Sequence, residues 1–319
     1  MRIVVTGASG FIGRNVLLRA PRDWEIVAVY HQTSGLEAFV VEQGLSHVRT
    51  VRCDLLDASA VQALARTVGG RADAMLYLAA NGDPAVSSER PGWDLESNTL
   101  SLITCLEHCP ADHVVYVSSG AVYDGLVGPV SPAAAVSPRL PYAIAKLASE
   151  QYLRFFVERR NTVTSAVNVR FFGAFGPYEA PRKITTRWLD AMAGGQREFV
   201  VRGDGENLID FMYVDDAVDG FLALVNARGT SLTVDFASGA PVSVNHVVGA
   251  MATVLGVDVT IRHDGRVAEY IEFQSVDPTM RERFGVVPTI SFEDGLRRLA
   301  DFLALERLAA TQSRFQSQH

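Results

Sequence analysis

The segment Thr6-Gly7-Ala8-Ser9-Gly10-Phe11-Ile12-Gly13 decides the reading of this chain. It follows an apolar, β-branched run, Ile3 to Thr6, and opens into helix-like spacing over Phe11 to Arg19. In such a strand–turn–helix, Gly7 permits the tight turn, Gly10 lets backbone approach a pyrophosphate, and Gly13 lets the helix pack closely. The first turn of that helix presents free N–H groups and a positive dipole end, which together hold an anion. Glycines at this spacing say little by themselves. The strand before them and the βαβ rhythm after them make a dinucleotide loop the expectation.

Outward from that loop, strand-like runs recur at Ile26 to Tyr30, Val48 to Arg52, Ala74 to Leu78, Val114 to Ser118 and Val163 to Val169. Helical spacing separates them at Gly35 to Gln43, Ala58 to Val68 with Asp57 as its cap, Trp93 to His108 and Pro141 to Arg160. Runs apolar on both faces, alternating with helices, predict an α/β fold: a doubly wound, Rossmann-like parallel sheet between two helix layers. After Arg170 the rhythm breaks at Gly173, Gly176, Pro177 and Pro181. Helices then read at Thr185 to Ala193, Asp215 to Asn226, Asn245 to Leu255 and Phe292 to Leu303, with strands at Leu232 to Phe236 and Val257 to His263. The expected domains are residues 1–172, rejoined by 207–240, and a smaller interleaved substrate lobe of 173–206 and 241–310. A frayed polar tail is expected over 311–319.

Composition narrows the function. Of 319 residues, 48% are hydrophobic and 20% charged, the usage of an ordinary globular protein. The net charge of −7 gives no basic field for a nucleic acid. No apolar run approaches the roughly 18 residues of a membrane span, and the N-terminus lacks a secretory pattern, so a cytoplasmic location is expected. Cys53, Cys105 and Cys109 have no partner motif and read as reduced thiols, with neither a disulfide nor a metal site expected.

Dinucleotide sites that prefer the unphosphorylated cofactor usually end the second strand with an acidic residue on the ribose 2′-OH. Here that end is Tyr30-His31, with Arg14 close to the glycine loop. His31 and Arg14 can accept a 2′-phosphate that a carboxylate would repel, which favours NADP(H) over NAD(H). His31 reads equally well as a solvated loop residue.

A third feature is Tyr142 with Lys146, four residues apart and so on one helix face, with Ser118-Ser119 at a strand end upstream. A phenol near its usual pKa of about 10 is a poor base at neutral pH, but a neighbouring ammonium stabilises the phenolate. Such a pair can move a proton to or from an alcohol oxygen, while Ser119 hydrogen-bonds the same oxygen and orients it.

With these residues the chain resembles the extended short-chain dehydrogenase/reductase family, in its nucleotide-sugar epimerase, dehydratase and reductase branch. The resemblance rests on residues 6–13, Cys53-Asp54-Leu55, Leu78-Ala79-Ala80, Asn98, Ser118-Ser119, Tyr142 with Lys146, and Arg170 through Gly176-Pro177. Asp210-Phe211, Tyr213 to Asp216 and Ser291 to Leu296 complete it. It implies a cofactor site of Gly7, Gly10, Phe11, Ile12, Gly13, Arg14, Tyr30, His31, Asp54, Leu55, Leu78, Ala79, Ala80 and Asn98. Tyr142, Lys146, Phe171 and Phe172 would complete the nicotinamide end. It also implies Ser119, Tyr142 and Lys146 as catalytic residues, a nucleotide-activated sugar as substrate, and a homodimer through the Trp93 to His108 and Pro141 to Arg160 helices.

Departures from the family pattern choose among reactions. Gly120-Ala121 stands where family dehydratases carry an acidic pair and the decarboxylases a Glu, so elimination and decarboxylation lose their helper. Gly173 and Ile209 replace an Asn and an Arg that commonly touch the substrate diphosphate. Arg182, Arg202 and Arg266, with Lys183 and Arg187, are cations that could supply the contact, though each is also an ordinary surface charge. Two enzymatic readings remain: reduction of a 4-keto sugar nucleotide, and 4-epimerisation through a transient ketone with tightly held NAD. The missing carboxylate after the second strand tilts the expectation to the reductase. A non-catalytic cofactor-binding protein is the third reading, opposed by the joint presence of Ser119, Tyr142 and Lys146.

Overall fold

The β-branched runs pair with one another, and all in parallel. The computed structural model describes residues 1–265 and 272–316. The chain divides into two units. One comprises Met1–Phe172, Val218–Phe236 and Phe273–Val287; the other comprises Gly173–Ala217, Ala237–Glu272 and Pro288–His319. In the first, β1 (Arg2–Thr6), β2 (Glu25–Tyr30), β3 (Val48–Arg52), β4 (Ala72–Tyr77) and β5 (Ala111–Ser119) join Val163–Phe171 and Leu232–Phe236 in a seven-stranded sheet. Across the sheet the order is Leu232–Phe236, Val163–Phe171, β5, β4, β1, β2, β3. Val5 sits between Ala28 and Leu76 in register. Ile3, Val4 and Val5 of β1 and Ala74, Met75 and Leu76 of β4 are buried, as strands covered on both faces must be. Strand order reverses between β1 and β4, and it is at the carboxyl ends beside such a reversal that doubly wound sheets open a crevice.

The helices of this unit are α1 (Phe11–Arg19), α2 (Leu36–Glu42), α3 (Ala58–Thr67), α4 (Pro84–Glu89), α5 (Pro91–Leu95), α6 (Ser101–His108) and α7 (Pro141–Arg159). Asp57 caps α3, accepting from the amides of Ser59 at 2.8 Å and Ala60 at 3.2 Å. The single helix expected over Trp93 to His108 is instead α5, a π-helical turn at Glu96–Leu100, and α6. Side chains hold that wide turn against α7: Ser149 donates to the Asn98 carbonyl at 3.0 Å, and Thr99 to the Ala145 carbonyl at 2.9 Å. Helix α4 was not expected, although its Asp83 cap and first-position Pro84 are a local start signal. All three cysteines are buried free thiols.

The second unit contains α8 (Ile184–Ala193), the start of α9 (Val214–Asn226), α10 (Val244–Leu255) and the parallel strands Glu198–Val201 and Thr260–His263. The stretch returning to the sheet unit is Val218–Phe236, shorter than 207–240. A second return, Phe273–Val287, brings a strand parallel to Gly128–Val130 and helix α11 (Thr279–Phe284). These pieces are three to six residues long and carry no period that a sequence window could register. The closing helix α12 runs from Phe292 to Gln316, so the tail expected to fray from Thr311 is helical to Gln316. After Gly295 it contains neither Gly nor Pro and is rich in Leu, Ala and Arg, all strong helix formers. No helix among the described residues is long and apolar enough to cross a membrane.

Candidate functional site

The glycine loop has the geometry that an approaching backbone or pyrophosphate requires. Gly7 adopts a left-handed φ of +65°, and a Cβ there would stand 2.9 Å from the Ala79 amide nitrogen. A Cβ on Gly13 would come within 2.5 Å of the Gly7 carbonyl oxygen, so α1 packs on the loop only because the residue is glycine. Thr6 ties the loop to the end of β4, its hydroxyl accepting from the amides of Leu78 and Ala79, both at 3.1 Å. Helix α1 begins at Gly10 without a side-chain cap, which leaves the amides of Phe11, Ile12 and Gly13 facing an incoming anion. Loop and helix end therefore fit a dinucleotide phosphate.

At the end of β2 the structure adds what the sequence did not reveal. The Tyr30 hydroxyl donates to the Glu37 carboxylate on α2. His31 lies 3.8 Å from Asp54, and Arg52 donates to the His31 carbonyl at 3.1 Å. Arg14 donates to the Ser9 carbonyl at 3.1 Å and stacks on Phe39. Two carboxylates thus accompany the cations here. Leu55 is buried behind Asp54, and Ala79 and Ala80 continue the loop after β4.

Ser119, Tyr142 and Lys146 are brought together. Ser119 closes β5, its hydroxyl accepting from the Ala121 amide at 3.1 Å, and that hydroxyl lies beside the Tyr142 phenol, whose pKa it lowers. Tyr142 lies in the first turn of α7, and Lys146 follows one turn on with its Nζ 5.9 Å from the Tyr142 ring centre. That Nζ donates to the Val117 carbonyl at 2.8 Å and lies 5.0 Å from the centre of the Tyr116 ring. Burial pushes the Lys146 ammonium down to about 8, partly offset by the charges of Asp94 and Glu150. Burial also raises the Tyr142 phenol above its usual range; the Ser119 hydrogen bond lowers it and the Asp94 charge raises it further. The sequence argument had the ammonium acidifying the phenol, but desolvation wins. As it stands, Tyr142 is a proton donor at neutral pH.

Behind these residues lie two hydrogen-bond networks that motif reading missed. Asn98 is fully buried; its carbonyl oxygen accepts from the Asn81 amide at 2.9 Å and its amide donates to Asp94 at 2.6 Å. What Asn98 offers a ligand is the position of the loop after β4. Glu150, one turn beyond Lys146, accepts from Ser118 at 2.5 Å and pairs with Arg170 at 2.9 Å. Arg170 also donates to the Tyr123 hydroxyl at 3.0 Å, and that hydroxyl donates to Asp235 at 2.7 Å. The signal available beforehand was the four-residue spacing of Asp94–Asn98 and Lys146–Glu150.

Phe171 packs against Phe221 and Phe236, with centroids 5.2 and 5.8 Å away, while Phe172 turns toward Tyr123 and Phe273. A Cβ on Gly120 would stand 3.2 Å from the Phe172 ring, a tight contact. In the second unit Gly173 has φ +152°, a backbone conformation strained for a side chain, and a Cβ there would stand 3.3 Å from the Asp210 carbonyl oxygen, a tight contact. Ile209 sits in a short strand paired with Val242. Arg182 is exposed before α8 and Arg202 just past Glu198–Val201, on separate elements; Arg266 lies outside the described residues.

Comparison with known proteins agrees with this geometry. The model of the NAD dependent epimerase/dehydratase family matches residues 3–234. A UDP-glucose 4-epimerase of Mycolicibacterium smegmatis is 26% identical over 313 residues, covering 95% of this chain and 98% of that protein. A dTDP-4-dehydro-6-deoxy-D-allose reductase of a Streptomyces species is 28% identical over 281 residues, with 82% and 83% covered. The fold is like that of a UDP-glucose 4-epimerase from Thermotoga maritima solved with UDP-glucose. There the TM-score is 0.85 at 22% identity, covering 96% and 99% of the two chains.

Proposed function

The chain belongs to the NAD dependent epimerase/dehydratase family, and on that premise we propose that it epimerises a nucleotide-activated hexose at C4, with NAD as its resident cofactor. The observation that carries the proposal is Tyr142 and Lys146 one turn apart on α7, the Lys146 Nζ 5.9 Å from the Tyr142 ring centre, with the Ser119 hydroxyl beside the phenol. Bound NAD⁺ supplies a hydride acceptor and a positive charge. Ser119 holds the C4 oxygen, the Tyr142 phenolate takes its proton on oxidation and the resulting phenol returns one on reduction, and Lys146 stabilises the phenolate before the first step and after the second. Gly7, Gly10 and Gly13 with the α1 amides hold the pyrophosphate, Asp54 the adenine end, and Lys146 the nicotinamide ribose.

Two supports place epimerase ahead of the reductase that the sequence favoured. The UDP-glucose 4-epimerase relative covers nearly the whole of both chains. The acidic environment of Tyr30 and His31, from Glu37 and Asp54, opposes a 2′-phosphate and so supports NAD over NADP. The reductase reading keeps one support, the allose reductase relative. Gly173 and Ile209 lack the side chains that commonly hold the substrate diphosphate, and Arg182 and Arg202 are the cations we assign to that contact. Trp93, Leu100, Ile144, Tyr152 and Phe155, exposed on the segment from α5 to α7, support a homodimer through these helices.

The test is to denature freshly purified protein and assay released cofactor, then to incubate the native protein with uridine and thymidine diphosphate hexoses. Epimerase activity requires stoichiometric NAD and a C4 epimer formed without added cofactor. An empty site and product formed only with added NAD(P)H would move the proposal to the reductase. Ile144→Glu should shift a dimer to monomer in size-exclusion chromatography.

A further inference from the structure

Buried charges in the sheet unit can be paired off, and one pair is left over. Among its described residues, two basic side chains that carry charge at neutral pH are buried, Lys146 and Arg170, alongside three carboxylates, Asp94, Glu150 and Asp235. Arg170 is spoken for: its Nε lies 3.1 Å from Glu150 Oε1 and its Nη2 2.9 Å from Oε2. Asp235 accepts from the Tyr123 and Ser275 hydroxyls, each at 2.7 Å. Asp94, only 1% exposed, accepts through Oδ1 from Ser87 and Asn98 at 2.6 Å and from Asn81 at 3.0 Å. All three donors are neutral. Its Oδ2 is buried with no hydrogen-bond partner, and so is the hydroxyl of Tyr116, the ring beneath Lys146. Lys146 uses one of its three N–H donors, on Val117. A buried carboxylate with an unfilled oxygen requires a cation or an ordered water, and the unpaired buried cation of this unit is Lys146.

We propose that Asp94 is the counter-ion of Lys146, a positioning residue that keeps the lysine an ammonium so that it can support the Tyr142 phenolate. The bracket of Asn81, Ser87 and Asn98 fixes one carboxylate oxygen and leaves the other without a protein partner, so that it acts on the lysine through its charge and an ordered water rather than a direct ion pair. The titratable groups around Lys146 are Asp94 on α5, Glu150 and Tyr142 on α7, and Tyr116 on β5. Glu150 is already neutralised by Arg170, so Asp94 supplies the net charge. The Asp94 charge also raises the Tyr142 phenol, so it favours the protonated form of both members of the pair.

The inference rests on reading Tyr142 and Lys146 as the proton-moving pair, but its first readout needs no substrate. The chain contains two lysines, Lys146 and Lys183, and Lys183 is exposed at the start of α8. Protein labelled with ¹³C-lysine therefore gives two side-chain signals, assigned by Lys183→Arg. The Lys146 signal should titrate near 8 in the wild type and about one pH unit lower in Asp94→Asn. Ser87→Ala, which removes one bond to Asp94 and no charge, should leave the midpoint in place. An unmoved midpoint in Asp94→Asn, or an equal shift in Ser87→Ala, overturns the assignment. Should Asp94→Asn not fold, the wild type decides: a ¹³C-labelled Asp94 carboxyl must step at the Lys146 midpoint, and a flat signal there overturns it. With substrate in hand, turnover of Asp94→Asn at pH 8 should fall about fivefold, with its alkaline limb moved down. A shifted midpoint in a protein that turns over no nucleotide sugar would keep the counter-ion and sink the function.

Discussion

Arg170 and Lys146 are both buried in the sheet unit, yet they are held in opposite ways. Arg170 is gripped by Glu150 along its Nε–Nη2 edge and by Tyr123 at Nη1, and these contacts hold its guanidinium above its ordinary range although burial opposes them. Lys146 has one carbonyl, an aromatic face and the field of Asp94, and burial pushes it down to about 8. One cation is locked and structural, joining α7 to Val163–Phe171. The other stays within reach of neutral pH, one helical turn from the Tyr142 phenol. A single helix thus carries its fixed anchor at Glu150 and its titrating group at Lys146, four residues apart.

That contrast can be broken most forcefully at the phenol. Tyr142→Phe should lower kcat by about 10²–10⁴-fold with the fold unchanged by circular dichroism. Near wild-type turnover would remove the reason for leaving Lys146 titratable. At the locked cation the cost falls on stability: Arg170→Met leaves Glu150 buried and unpaired, and should lower the unfolding free energy by about 3–5 kcal/mol in denaturant titrations. A loss of less than about 1 kcal/mol there would mean that the anchor is no anchor.

The pH dependence sharpens the same contrast. Because Lys146 loses its proton as pH rises through about 8, kcat/KM should fall through an alkaline limb at that pH, roughly tenfold per unit beyond it. A profile flat to pH 10 would contradict a depressed lysine. The smallest effect belongs to Asp235, whose carboxyl is held up to about 6 chiefly by burial. A folded pKa above the usual 3.9 or so means that the native state binds this proton more tightly. Its stabilising contribution is present below pH 4 and lost as pH rises through 6. Wild type should therefore lose about 1–2 kcal/mol relative to Asp235→Asn between pH 4 and 6. An equal response in the two proteins would leave Asp235 uninvolved.

The sheet and the closeness of Tyr142 to Lys146 were legible because their signals are local. β-branched runs, the glycine loop at 6–13 and the four-residue spacing of Tyr142 and Lys146 each state their meaning within a few residues. What settles the behaviour of the site is not local. Glu37 reaches Tyr30 from another element, and the charge of Asp94 bears on Lys146 only once α5 lies on α7. The expectation of an acidified phenol failed for that reason, since desolvation belongs to the packed fold. The second unit was harder still: its strands of two to four residues have no period to read, and Gly173 is explained only by the backbone of Asp210 beside it.

The central claim is that a phenol and a hydroxyl move a sugar proton under the charge of one buried lysine. It is tested most directly by single-turnover oxidation of a uridine diphosphate hexose in the NAD-loaded protein, followed through cofactor absorbance across pH 6–10 in wild type and Tyr142→Phe. The account predicts a wild-type rate that falls above pH 8 and a variant slower by at least about a hundredfold at every pH. Equal rates in the two proteins would contradict it.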